Sequence, residues 1–329
     1  VFFFAALCGH RFVTYFLSIG IFIFLIVSFD MGIFEDIRIG YGLTPGVDDY
    51  SEISGYGVFQ QGAGWFFLLW AALAAALVMT GIWLWKRGSD KKWKNRISLK
   101  NGQLSSFSKV VMVAFFGLFA FLMSFVSKNA YENGNFTASA EEQRLDAEYE
   151  KKYAYLKKRW QPKYEAVNFK LDLFPSQRKA NFSANINLNN QKGTDTLFFN
   201  TKDFVELTSV KVHGKKLEPV VKDKDQNLKG FLIPKAVQKD SVLELFVKGT
   251  KQYKGFTQDD PQADITAVGS FGSVQDFLPV IGYDGDRELL ENRQREEQGL
   301  DRLDSRVAGI NDVFAREQNA FAPDANLVK

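Results

Sequence analysis

The sequence holds few of the groups that catalytic sites use. One cysteine, Cys8, excludes an intrachain disulfide framework and a multi-cysteine zinc site. Two histidines, His10 and His213, leave little from which to build a catalytic metal centre. His213 stands just before Gly214 at the end of a strand pattern and reads as a solvent-facing turn residue. No excess of either charge is present: 41 Lys and Arg against 38 Asp and Glu give a formal net charge of +3. That balance excludes a histone-like or tail-like nucleic-acid binder. Carboxylates are plentiful, yet no pair is placed by spacing, and no nucleophile stands with a base. The reading therefore assigns no catalytic, cofactor-binding or metal-binding residue. What is abundant is phenylalanine, with 32 residues in a chain that is 46% hydrophobic. Phenylalanine is at home in membrane segments and in β-sandwich cores, and the two parts of the chain differ accordingly.

Residues 1–128 carry 11 basic and 7 acidic side chains, bunched between long apolar runs, whereas residues 129–329 carry 30 and 31. Phe12–Phe29, Trp65–Trp85 and Val110–Ser127 contain no charge. Each is at or near the ~20 residues that a helix needs to cross a hydrocarbon core. Aromatics at their ends (Tyr15, Trp65, Trp83, Trp85) suit the interface, so 1–128 reads as a transmembrane region with spans at about 12–29, 65–85 and 110–127. Val1–Cys8 resembles the end of another such segment. The loop Lys86–Lys109 holds eight basic residues against Asp90 alone, while Asp30–Gly64 holds six acidic residues against Arg38. The positive-inside rule puts 86–109 in the cytoplasm and 30–64 outside, which sends 128–329 to the extracytoplasmic (periplasmic) side of an inner or plasma membrane. With Trp93, the basic loop could also suggest a nucleic-acid patch, but lysine-rich cytoplasmic loops beside membrane helices ordinarily meet anionic lipid headgroups. Ala71, Ala72, Ala74, Ala75, Ala76 and Gly81 would allow close helix packing in a larger bundle. No span contains an ionisable residue, so no proton relay is legible. The Gly-rich outer loop lacks calcium-loop spacing and reads as a polar connector.

Residues 129–163 read as a helical tether. Ser139 with Glu142 resembles a capping box, Glu148 and Lys152 an i,i+4 pair. Leu145, Tyr149, Tyr153, Leu156 and Trp160 recur on one face until Pro162. From Tyr164 the period becomes two. Glu165–Leu173, Asn181–Leu188, Thr196–Phe199, Leu207–His213, Gly230–Ile233 and Val242–Lys248 read as short strands between turn signals, which predicts an antiparallel β-sandwich over 164–329. Asn135-Phe136-Thr137 and Asn181-Phe182-Ser183 match the glycosylation sequon with little weight. Gly282–Gly299 reads as a solvated, salt-bridged helix. Ala322-Pro323-Asp324 reads as a loop before a strand at Leu327.

The stretch Tyr164–Leu188, with LFFN at 197–200 and LTSVKVHGKKL at 207–217, resembles the N-terminal β-domain of M1-family aminopeptidases. Residues 276–300 (DFLPVIGYDGDRELLENRQREEQGL) and APDANLV (322–328) resemble a subtype in which an M1 peptidase-like region is fused behind the last helix of an ABC-2-type transporter permease. The resemblance covers about residues 12–329. It implies a membrane helical bundle segment followed by an extracytoplasmic sandwich like the M1 N-terminal domain. It also implies a separate ABC ATPase subunit, since no G-x-x-x-x-G-K-[ST] occurs; the other expected partners are the lipid bilayer and a second copy of the chain in a homodimer, with no nucleic acid. M1 enzymes hold zinc through H-E-x-x-H, with two His one helical turn apart and the Glu as general base. His10 precedes Arg11 and His213 precedes Gly214, and no G-x-M-E-N strand is present. The resemblance thus leaves this chain without cofactor and inactive alone, with zinc expected in a catalytic domain beyond it. A start inside an apolar run and a stop at Lys329 read as a fragment of a longer protein, truncated within the β-domain. A membrane-anchored extracytoplasmic binding or sensor protein is the alternative.

Overall fold

The uncharged runs form helices in the computed structural model, which describes residues 1–8, 10–30, 36–40, 52, 56–85, 105–134, 136–257, 264–267 and 269–303. The basic loop at 86–104, most of the outer loop, the Asn135 sequon and the segment 322–328 lie outside the described residues. The chain divides into two units, Val1–Phe136 with Lys254–Gln262, and Thr137–Tyr253 with Ala263–Lys329.

In the first unit α1 spans Phe2–Cys8, α2 Arg11–Asp30, α3 Phe59–Leu84 and α4 Ser106–Ser127. Three segments, Arg11–Ser28, Phe59–Leu84 and Ser106–Glu132, are long and apolar enough to cross a membrane. The second begins six residues before the uncharged run at Trp65, because Gln60 and Gln61 carry no charge and tolerate a helix. Ser105 caps α4 by accepting a hydrogen bond from the Ser108 N–H at 3.1 Å. Beyond Ser127 the helix widens into one π turn, Lys128–Glu132. Helices α3 and α4 bury Phe66, Leu69 and Ala72 against Leu122 and Val126. Gly81 admits α1: a Cβ there would lie 2.7 Å from the Phe2 ring. Phe256 packs into the same cluster, with ring centroids 6.4 Å from Phe66 and 6.0 Å from Phe125. Phe12, Phe16, Phe22 and Phe24 of α2 are exposed, a surface suited to hydrocarbon rather than water.

The second unit begins with α5 (Ser139–Tyr153) and a 3-10 turn (Ala154–Lys158). The strands are β1 Lys163–Phe174, β2 Lys179–Asn189, β3 Thr196–Asn200, β4 Val205–Val212, β5 Lys215–Lys216, β6 Pro219–Asp223, β7 Leu228–Leu232, β8 Val242–Gln252 and β9 Val280–Ile281. They form two sheets, ordered β1-β2-β8-β4-β5 and β6-β7-β3-β9, with every pair antiparallel. Alternation decides which face is inside. Phe182, Ala184, Ile186 and Leu188 on β2 and Leu243, Leu245 and Val247 on β8 are buried, while Asn185, Asn187, Glu244 and Lys248 point outward. The inward residues meet Leu197, Phe199 and Phe231 of the second sheet in one core. Burying each such side chain contributes on the order of 1.5–3 kcal/mol. The short α6, Asn292–Glu297, follows two 3-10 turns.

Three local readings change. Helix α5 is capped by Ala138 without a side-chain bond, so Ser139 and Glu142 make no capping box. Glu148 pairs with Arg144 and Lys152 with Asp223, each preferring a partner other than the i,i+4 neighbour between them. Residues 282–299 are not one solvated helix: only Asn292–Glu297 is α-helical, and Arg295 is buried.

Candidate functional site

The largest concentration of buried polar chemistry among the described residues lies where α5 rests on the four-stranded sheet of its own unit. The apolar face of α5 predicted from spacing sets this up. Tyr149, Tyr153 and Leu156 are buried against Phe198 of β3 and Leu228 of β7. Residues 282–303 then wrap over the other side of the helix and bring four charged or polar anchors to it.

The first anchor is a buried ion pair. Arg295 donates from both terminal nitrogens to the two Glu150 oxygens at 2.8 Å each, and also to the carbonyls of Leu289 at 3.0 Å and Asp301 at 2.6 Å. The Arg295 side chain is 4% exposed and that of Glu150 is 8%. Burial raises the Glu150 pKa, but hydrogen bonds and charge from Arg295, with Lys157 behind them, outweigh it, and the carboxyl sits below its ordinary range. The second anchor is Glu288, which pairs with Lys157 of the 3-10 turn, whose ammonium also lies 4.8 Å from the Tyr283 ring centre. The third is Arg287, bonded to Asp146 at 3.1 Å and to Gln226 at 2.9 and 3.0 Å, with its guanidinium 4.4 Å from the Tyr149 ring centre. The fourth is the Asp284 N–H, which donates to the Tyr149 hydroxyl at 2.9 Å. Burial pushes the Tyr149 phenol up to about 12 and holds the Asp284 and Asp146 carboxyls above their ordinary value. Lys151 donates to the Gln298 carbonyl, which ties down the end of the wrap.

Chemically this is a clamp. Glu150 and Asp146 face guanidinium groups, Glu288 faces the Lys157 ammonium, and the tyrosines stay protonated. Among the described residues of the clamp, no activated nucleophile stands beside a base. The sequence reading assigned no site residue and took the 282–299 charges as solvated, so Glu150, Arg295, Arg287 and Tyr149 were missed as partners. A signal did exist: Glu150 sits one residue from Tyr149 on the apolar side of α5, where a carboxylate needs a cation. Arg295 is the cation, but 145 residues of sequence separate the two.

Other chemistry-bearing residues lie apart from the clamp. His213 adopts the left-handed conformation (φ 46°) at the β4–β5 turn, with Asp240 and Glu244 each 3.8 Å away. An open groove of about 460 Å³ is lined by Asp195, Lys215, Leu217, Ile233, Lys235 and Gln238. In the helical unit Asp36 pairs with Arg38 and accepts from Tyr131, while Arg38 donates to Ser127 at 3.1 Å. Burial raises the Asp36 pKa, but the Arg38 and Tyr131 hydrogen bonds overcome it and bring it to about 2. No group of three His, Cys, Asp or Glu able to hold a metal ion occurs among the described residues, so they do not fit the zinc of an M1 enzyme.

No family model matches the chain, and no curated protein matches it. Part of it is similar to solved structures of an M1 zinc metallopeptidase from Deinococcus radiodurans, at 6% identity over 28% of this chain and a TM-score of 0.24. A mutant form of that enzyme, alone and bound to a Tyr-Ser-Ala substrate, gives the same figures. The matched part spans 20% of those chains. A TM-score of that size carries no argument about fold or function.

Proposed function

We propose that this chain is the membrane-spanning and β-sandwich part of an ABC-2-type permease fused to an M1 peptidase-like region. One observation carries the reading. Residues 282–299, the core of the stretch with the most specific sequence resemblance, are the residues that clamp α5 onto the sandwich. The resemblance therefore rests on residues the domain needs. The chain order of three apolar spans, a helix and an antiparallel sandwich also agrees with such a fusion. In this reading the helices belong to a transport pathway driven by a separate ATPase subunit, and the sandwich lies outside the cytoplasm as a wall of a peptidase cleft. The residues of this chain position; they do not catalyse. Zinc chemistry belongs to a catalytic region.

A second reading is favoured by the closed core of the sandwich, which draws only on described residues between Val167 and Ile281. It makes the sandwich a membrane-anchored binding domain. One experiment separates the two. The protein is tagged at its natural locus, purified from membranes, sized, and assayed with aminoacyl-coumarin substrates. The fusion predicts a polypeptide well above 37.3 kDa whose hydrolysis is lost to a zinc chelator. A 37.3 kDa polypeptide without hydrolysis overturns it and leaves the binding domain.

A further inference from the structure

The solvent face of the five-stranded sheet sorts its charges by row. Register places Lys170 of β1, Ser183 of β2, Lys248 of β8 and Ser209 of β4 side by side. The next outward row holds Asn168, Asn185, Phe246, Lys211 and Lys216. These two central rows contain four lysines and no carboxylate. The carboxylates stand in the flanking rows, with Asp172 and Glu206 on one side and Glu244 on the other.

Three features separate this band from an ordinary solvated face. Lys211 and Lys216 are direct cross-strand partners, a like-charge pairing that costs a sheet stability. Lys170, Lys211 and Lys248 form no ion pair among the described residues, and only Lys216 has one, with Glu218. Between the lysines lie uncharged hydrogen-bonding groups, Ser183, Asn185 and Ser209, and one half-buried ring, Phe246, with the Lys211 ammonium 5.6 Å from its centre. Strand spacing makes the band roughly 19 Å long and about 7 Å between its rows. Acidic margins on both sides repel a broad anionic surface such as a bilayer but leave room for a narrow chain.

We propose that this band binds a linear anionic polysaccharide lying across the strands. Its carboxylates or phosphates meet the lysines, its hydroxyls meet Ser183 and Asn185, and a sugar face rests on Phe246. An acidic polypeptide offers charge but few hydroxyls, and uses the amide-lined part of the rows less well. The inference concerns the sandwich alone and does not rest on the fusion reading.

The test uses the full chain in neutral-lipid nanodiscs and fluorescently labelled oligogalacturonate, read by anisotropy. Saturable binding that weakens with added salt is expected. Lys211→Gln with Lys248→Gln should weaken it about tenfold, Lys211→Arg with Lys248→Arg should restore it, and Lys222→Gln on β6 of the other sheet should leave it unchanged. Thermal melts confirm that each variant is folded. Absence of saturable binding, equal binding of uncharged dextran, or equal loss from Lys222→Gln overturns the proposal. Tighter binding of poly-glutamate than of oligogalacturonate also overturns it, in favour of an acidic polypeptide.

Discussion

Arg295→Ala should be among the most damaging single substitutions in the sandwich unit. Arg295 donates four side-chain hydrogen bonds, two to Glu150 and one each to the Leu289 and Asp301 carbonyls. Truncation strands all three acceptors. Glu150, 6% exposed, would keep only Lys157 at 3.6 Å, a cation already shared with Glu288. Breaking a buried pair by removing one partner costs about 3–5 kcal/mol, because the remaining charge stays desolvated. For a unit of this size each kcal/mol lowers Tm by roughly 2–4 °C, so a fall of about 6–20 °C is expected. The assay is thermal unfolding of the detergent-solubilised full chain, followed by the near-ultraviolet dichroism of the tyrosine cluster. Arg293→Ala is the control, since that arginine is 87% exposed and should leave Tm unchanged. Glu150→Leu combined with Arg295→Met should recover much of the loss by removing both charges. A fall for Arg295→Ala no larger than for Arg293→Ala would refute the clamp.

The pH dependence follows from the same pair. The Glu150 pKa is depressed in the fold, so its contribution is complete above the ordinary carboxylate value and is lost as pH falls through the folded value. Glu150→Gln should therefore flatten the acid limb of a pH–stability profile below about pH 4.5, and an unchanged limb contradicts the assignment. Asp284 and Asp146 have the opposite sign: burial raises their pKa, so they cost stability as pH rises through those values, and Asp284→Asn should raise Tm at pH 7 relative to pH 3. Gly249→Val should destabilise the sandwich by several kcal/mol, because a Cβ there would lie 2.5 Å from the Phe182 ring and 2.8 Å from the Glu206 carbonyl; a normal melt refutes that packing. Phe256→Ala should loosen α3 from α4 by about 3–5 kcal/mol of lost packing, seen as faster proteolysis of the helical unit, and unchanged protection tells against the cluster.

Strong periodicity was legible and weak periodicity was not. The alternation of β2 and β8 runs for 11 residues each, and the uncharged runs of α2, α3 and α4 are each long and apolar enough to cross a membrane. Strand β6 opens on Pro219 and carries Lys222 and Asp223, and β9 has only Val280 and Ile281, so neither shows a period. Strand order was also illegible. β8 lies between β2 and β4, and long-range pairing of this kind has no local signal. The clamp escaped for the same reason, because Glu150 and Arg295 each look like solvated charges until the fold brings them together. Motif reading could exclude an H-E-x-x-H centre, since that chemistry is local in sequence, but could not find a pair whose partners are distant.

The proposed function depends most directly on the claim that the apolar helices cross a bilayer and leave the sandwich outside the cytoplasm. The direct measurement is labelling of intact cells with a membrane-impermeant maleimide, in a Cys8→Ser background carrying one new cysteine at Asn187, an exposed position on β2. The account predicts rapid labelling of Asn187→Cys in intact cells, and labelling of Lys91→Cys in the basic loop only after permeabilisation. Labelling of Lys91→Cys in intact cells, with Asn187→Cys protected, would contradict it.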